Sequence, residues 1–121
     1  MYKYFALILL VLNSNIALAD WQYFGESDYS VCYVDLSSLR KNGDIVNVWM
    51  YQNFKKPQAK MLSARQKVEI NCTQEISKTV SMQSFNQPDL ISITDSFEVT
   101  EKYSPIAPNT PMNILRKLVC K

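Results

Sequence analysis

Three cysteines, Cys32, Cys72 and Cys120, carry the only obvious capacity for covalent chemistry in this 121-residue chain, and no histidine accompanies them. Histidine is the commonest general base and the commonest metal ligand, so its absence removes the usual routes to an activated nucleophile and to a first-row metal site. Cys32 is the one candidate nucleophile. With no imidazole to draw off its proton, it reads as a buried thiol on a strand. Asp95, Glu98 and Glu101 place carboxylates in one segment. Glu98 falls on the polar parity of an alternating run, so a solvated face explains it better than an acid–base pair. The expectation is a non-enzyme without a cofactor or a metal.

Binding chemistry is better represented. Lys55, Lys56, Lys60, Arg65 and Lys67 make the middle of the chain basic. Such a run either discourages edge-to-edge strand pairing or meets an acidic protein surface. Trp49 and Tyr51 share the second face of one strand, where large aromatics form either a protein contact or a second small core. A continuous apolar patch on that face would call for self-association, and a homodimer is the simplest way to cover it. The candidate ligand-binding residues are therefore Lys55, Lys56, Lys60, Trp49 and Tyr51. The whole chain carries 13 basic and 11 acidic side chains, a net charge of +2, which is too small to imply bulk attraction to nucleic acid.

The N-terminus sets the compartment. Lys3 precedes the apolar run Phe5 to Leu12, then polar Asn13-Ser14-Asn15, then Ala17-Leu18-Ala19. That order is a secretory signal peptide, with cleavage expected between Ala19 and Asp20. The apolar run is far short of the roughly 18 to 20 residues a membrane-spanning helix requires. Residues 1–19 are thus expected to be removed, and residues 20–121 form one small domain exported to the periplasm, the medium or the cell surface. No cysteine lies at the cleavage boundary, so no lipid anchor is expected there.

The exported part is a series of short two-faced strands with a helical ending. Trp21 to Phe24 makes a strand that stops at Gly25, and Val31 to Asp35 makes a second before the polar stretch Ser37 to Lys41. Asn42-Gly43-Asp44 turns the chain. In Ile45 to Phe54, Val46, Val48 and Met50 alternate with Asn47, Trp49 and Tyr51. Lys55 to Lys60, charged and interrupted by Pro57, reads as a solvated loop. Val68, Ile70 and Cys72 share one face of Ala64 to Thr73. Ile76, Val80 and Met82 continue the pattern, and Ile91, Ile93, Phe97 and Val99 complete it with a bend or bulge at Asp95. Six such strands predict one antiparallel sheet.

Ser104 to Asn109 holds two prolines and is expected to be irregular. Thr110-Pro111 then sets an N-cap oxygen before a proline suited to the first helical position. Met112, Ile114, Leu115, Leu118 and Val119 fall on one side of the helix, and Arg116, Lys117 and Lys121 complement its negative C-terminal end. At about ten residues it is below the roughly 12 to 15 that an isolated helix needs. Cys120 supplies a tether. Cys72 lies on the apolar face such a helix would cover, so Cys72 with Cys120 is the preferred pairing and Cys32 is left over. On the loop-entropy model that bridge contributes roughly 4 kcal/mol.

Taken in order, Trp21, Gly25-Glu26-Ser27, Tyr33-x-Asp35 with Ser37-Ser38-Leu39, Gly43 before Val46-Asn47-Val48-Trp49, Pro57, Ser63, Asn71-Cys72, Ile106-x-Pro108 and Leu118-Val119-Cys120 resemble the surface-adhesin protein E family. The resemblance implies an α+β domain: a single antiparallel sheet of about six strands, with a C-terminal helix packed on one face and tethered by a disulfide at the positions of Cys72 and Cys120. It implies a non-enzymatic protein-binding role, adhesin-like, toward host extracellular-matrix or plasma proteins. An envelope-associated periplasmic domain with no host ligand is the alternative, and an exported enzyme using Cys32 is a third.

Overall fold

A computed structural model describes residues 20–121. The expected signal segment, and with it the Ala19 side of the cleavage site, lies outside the described residues. The strands are β1 (Trp21–Glu26), β2 (Ser30–Asn42), β3 (Ile45–Gln58), β4 (Met61–Asn71), β5 (Ile76–Phe85), β6 (Ile93–Glu98) and β7 (Ser104–Pro105), followed by one helix, α1 (Pro111–Val119). They form a single antiparallel sheet in the order β1-β2-β3-β4-β5-β6, with the two-residue β7 paired to β5. Every connection from β1 to β6 joins neighbours, so the sheet is a meander built from local hairpins. Among the described residues no helix is long and apolar enough to cross a membrane.

Local chemistry explains the tightest turn. Asn42 pairs with Ile45, leaving Gly43-Asp44 as a two-residue loop in which Gly43 has φ +62°. A hairpin of that length favours positive φ, which glycine adopts without a Cβ penalty. From there Val46, Val48 and Met50 turn to one side of β3 and are buried with Val34, Val68 and Ile70. Leu115 and Val119 of α1 and Phe24 and Cys32 of the sheet join the same cluster.

The helix is built as its sequence predicts at its start. Thr110 Oγ1 accepts from the Asn113 N–H at 3.4 Å and Pro111 occupies the first turn. Cys120 closes the other end and is bridged to Cys72, with the two Cα atoms 5.6 Å apart. Arg116 adds an ion pair to Glu75, 3.2 Å away in the β4–β5 turn. Only Leu115 and Val119 are fully buried, whereas Ile114 is 47 % exposed. The apolar side of α1 is therefore narrower than the five-residue stripe expected.

Several strand boundaries differ from the sequence reading, each for an identifiable reason. β1 runs on to Glu26 because a bulge leaves Phe24 as the extra residue and Gly25 resumes pairing, opposite Cys32. β2 runs on through Ser37 to Lys41 because a bulge after Asp35 is held by side chains: Asp35 Oδ1 accepts from the Ser37 N–H at 3.0 Å, and Ser38 Oγ donates to the Asp35 carbonyl at 2.6 Å. Of the expected Lys55 to Lys60 loop, only Ala59 and Lys60 form a turn. β3 continues to Gln58, which pairs with Met61, and the Lys55 N–H donates to the Tyr29 carbonyl at 2.8 Å. Pro57 is tolerated because it sits in the bulged part between Asn53 and Gln58, where no ladder donor is required. Thr94, not Asp95, is the extra residue of β6, and that strand is exposed at every position, at the edge of the sheet away from the β1 and β2 strands that the helix contacts.

Candidate functional site

Register assembles an aromatic face on the side of the sheet opposite Val46 and Val48. Directly paired residues of antiparallel strands point to the same side. One row runs Trp21, Asp35, Trp49, Lys67, Ser81, Glu98 across the six strands, and the next runs Tyr23, Tyr33, Tyr51, Arg65, Gln83, Ser96. Strand alternation places two aromatics on β1, one on β2 and two on β3, and pairing makes a patch of them.

The rings pack on one another. Tyr33 stacks on Tyr51 at 4.5 Å between centroids with planes 9° apart, while Trp21 meets Tyr51 edge-on at 4.9 Å. Tyr23, 57 % exposed, extends the row edge-on to Tyr33 at 6.2 Å. The Arg65 guanidinium lies over the Trp49 ring, 4.9 Å from its centroid, a cation–π arrangement. Tyr51 is buried at the centre, and its hydroxyl donates to Asp89 at 3.3 Å. Burial first, and then the Asp89 carboxylate, push its phenol well above the ordinary tyrosine range.

Charged groups interrupt this aromatic surface. Asp35 is buried and bonded to Ser37, and Lys78 pairs with Glu69 at 3.6 Å while lying 4.7 Å from the Tyr103 ring centroid. Tyr103 donates to Glu69. Burial, then that bond, pushes its phenol up to about 12. A cleft of about 700 Å³ opens beside Trp49, lined also by Ser38, Arg40, Asn47, Lys67 and Glu98. The continuous apolar patch that would call for a homodimer is not formed, because Arg65, Lys67 and Glu69 lie across it.

The basic candidates sit elsewhere. Lys55 and Lys56 lie on the far end of β3 and Lys60 in the turn to β4, all three exposed. Lys55 is spent on Glu26 at 2.8 Å, which raises the ammonium pKa and lowers that of the carboxyl. Lys60 lines a separate cleft of about 500 Å³ with Met61, Asp95 and Phe97. The five candidate residues thus form two groups, an aromatic centre at Trp49 and Tyr51 and a basic hairpin tip beyond Asn53. Tyr23, Tyr33 and Arg65 belong with the first group. Their parity is visible in the sequence, but their convergence depends on the register between strands.

Cys32 is 2 % exposed, and burial pushes its thiol above the usual range. Asp95 and Glu98 are exposed on β6, while Glu101 accepts from the Thr79 N–H at 3.3 Å. Among the described residues, no carboxylate lines the cavity beside Cys32 to act as its base.

A family profile described as surface-adhesin protein E matches residues 21–121. Among solved structures, the chain resembles that of Haemophilus influenzae protein E, with a TM-score of 0.62 at 13% identity over 88% of this chain and 87% of that one. Protein E from non-typeable Haemophilus influenzae gives 0.59 at 13% identity, over 88% and 78%. A second crystal form of Haemophilus influenzae protein E gives 0.55 at 14% identity, over 86% and 96%. At such identities the likeness is one of fold. Comparison with curated protein sequences finds no match.

Proposed function

The chain belongs to the surface-adhesin protein E family, and from that membership we propose an exported, adhesin-like domain that binds protein instead of transforming a substrate. Residues 1–19 act as the signal peptide and residues 20–121 as the working domain. In this reading α1 covers the side of the sheet carrying Val46, Val48, Val68 and Ile70, and the aromatic face is left for a partner. The observation that carries the proposal is the pairing of family membership with a half-exposed aromatic surface of a kind enriched at interface hot spots.

Two features of that surface shape the partner. Trp21, Tyr33 and Tyr51 are rigidified by mutual packing, so little side-chain entropy is lost on contact. Lys56 and Lys60 at the hairpin tip are exposed, which suits them to steering an acidic protein surface rather than to supplying affinity by burial. Host extracellular-matrix or plasma glycoproteins with acidic patches fit that description.

The test is binding of the mature protein to immobilised matrix glycoproteins. Binding should weaken as ionic strength rises from about 0.05 to 0.5 M, and K55S/K56S/K60S should lower the association rate more than it raises dissociation. Matrix binding that is indifferent to both salt and these substitutions removes the basic tip from the mechanism. No binding at all, with the protein recovered only from the periplasm, contradicts the adhesin role.

A further inference from the structure

Away from the aromatic face, three sulfur side chains line one cavity of about 220 Å³: Cys32, Met50 and Met112. Register brings the first two together. Cys32 lies opposite Gln52, and Met50 opposite Val34, so thiol and thioether are diagonal neighbours on one face of adjacent strands, a spacing that long side chains bridge. The helix brings the third. Gly25 pairs with Cys32, and a Cβ added at Gly25 would stand 3.7 Å from the Pro111 side chain. The first turn of α1, which carries Met112, is therefore beside the strand position opposite Cys32.

Three of the polar side chains around this cavity, Ser30, Gln52 and Gln66, bond to one another. Ser30 Oγ donates to Gln52 Oε1 at 2.8 Å, and Gln52 Nε2 donates to Gln66 Oε1 at 2.7 Å. The Cys32 sulfur has Ser30 Oγ at 3.6 Å, a weak partner by hydrogen-bond standards. We propose that this cavity is a Cu(I) site in which the Cys32 thiolate and the Met50 and Met112 thioethers are the ligands. Thiolate and thioether donors select Cu(I) over harder ions. A buried thiolate alone is disfavoured by the loss of its hydration. Its pair with a monovalent cation is neutral overall, which a low-dielectric cavity tolerates. A divalent ion would leave a buried net charge there. Among the described residues no three His, Cys, Asp or Glu side chains gather to hold one. On binding, Cu⁺ takes the place of the thiol proton, the proton passes to solvent, and no oxidation state changes.

The site is independent of the binding face and is tested independently of it. Mature protein, with the Cys72–Cys120 bridge verified intact by mass, is titrated anaerobically with Cu(I) against a chromophoric Cu(I) chelator. One Cu(I) per chain should be retained, with a first shell of sulfur alone by X-ray absorption. C32S should abolish retention. M50L and M112L preserve side-chain volume, so the fold should survive, and each should weaken binding at least as much as the roughly tenfold that even outer-shell changes produce. These two variants keep the test decisive if C32S does not fold. Zn(II) should not bind stoichiometrically. Failure of the wild type to hold Cu(I), equal retention by all three variants, a nitrogen or oxygen first shell, or equal Zn(II) binding each overturns the assignment.

Discussion

Removing the Cys72–Cys120 bridge should cost this domain as much as a severe core substitution. The two cysteines are 48 positions apart, and cross-linking a loop of that length lowers the entropy of the unfolded chain enough to contribute about 4 kcal/mol at room temperature. A small domain has roughly 5 to 15 kcal/mol in all. The local consequence is as important. α1 has nine residues, too few to persist without support, and its buried contacts are Leu115 and Val119. C72A/C120A should therefore show a urea midpoint lowered by the equivalent of about 4 kcal/mol and a Tm lowered by roughly 15 to 30 °C. Amide exchange should report loss of protection in Leu115 to Val119 before the β3 and β4 amides open. A stability loss below about 1 kcal/mol, with those helix amides still protected, would refute the claim that the bridge holds α1 in place.

Other perturbations test the fold and its electrostatics. L115A removes a fully buried side chain and should cost roughly 2 to 5 kcal/mol by chemical denaturation, the usual range for such a cavity. G43A forces a side chain into φ +62° and should cost roughly 1 kcal/mol, whereas G25A crowds the end of the exposed Ile114 side chain at 3.1 Å and meets Pro111 at an ordinary 3.7 Å, and should be milder. Tyr103 holds its proton more tightly when folded, with the pKa raised from 10.0 to about 12. Its contribution to stability is therefore complete below pH 10.0 and lost as pH rises through about 12. Denaturant titrations across that window should show the decline, and Y103F should make it shallower, with Tyr51, whose phenol is also raised, supplying part of the remainder.

The sequence makes local chemistry legible where a few adjacent residues decide the outcome. Thr110-Pro111 announces the helix start, Asn42-Gly43-Asp44 the hairpin, and the alternation of Val46, Val48 and Met50 the buried side of β3. The Cys72–Cys120 bridge follows from a short helix needing a tether. Strand ends are less legible because polar side chains here support bulges as well as loops. Asp35, Ser37 and Ser38 look like a terminator, yet their hydrogen bonds to backbone carry β2 onward and present Ser38 Oγ to the Trp49 N–H at 2.9 Å. Lys55 and Lys56 look like a loop, yet the exposed end of a long hairpin accepts charge without breaking. β6 alternates like its neighbours but is exposed at every position, since its distance from the helix, which contacts β1 and β2, is a property of topology and not of its own residues. The aromatic face was half visible for the same reason. Trp49 and Tyr51 declare their side of β3, but Trp21, Tyr23, Tyr33 and Arg65 join them only through pairings between strands.

The central claim, that the aromatic face and the β3–β4 hairpin tip meet a protein partner, is tested most directly by hydrogen exchange of the mature domain with and without a saturating matrix glycoprotein. The account predicts added protection in β1 to β3 around Tyr23, Tyr33 and Trp49 and across Lys55 to Lys60, with α1 unchanged. Protection confined to α1, or none anywhere while binding is demonstrated by an independent assay, would contradict it.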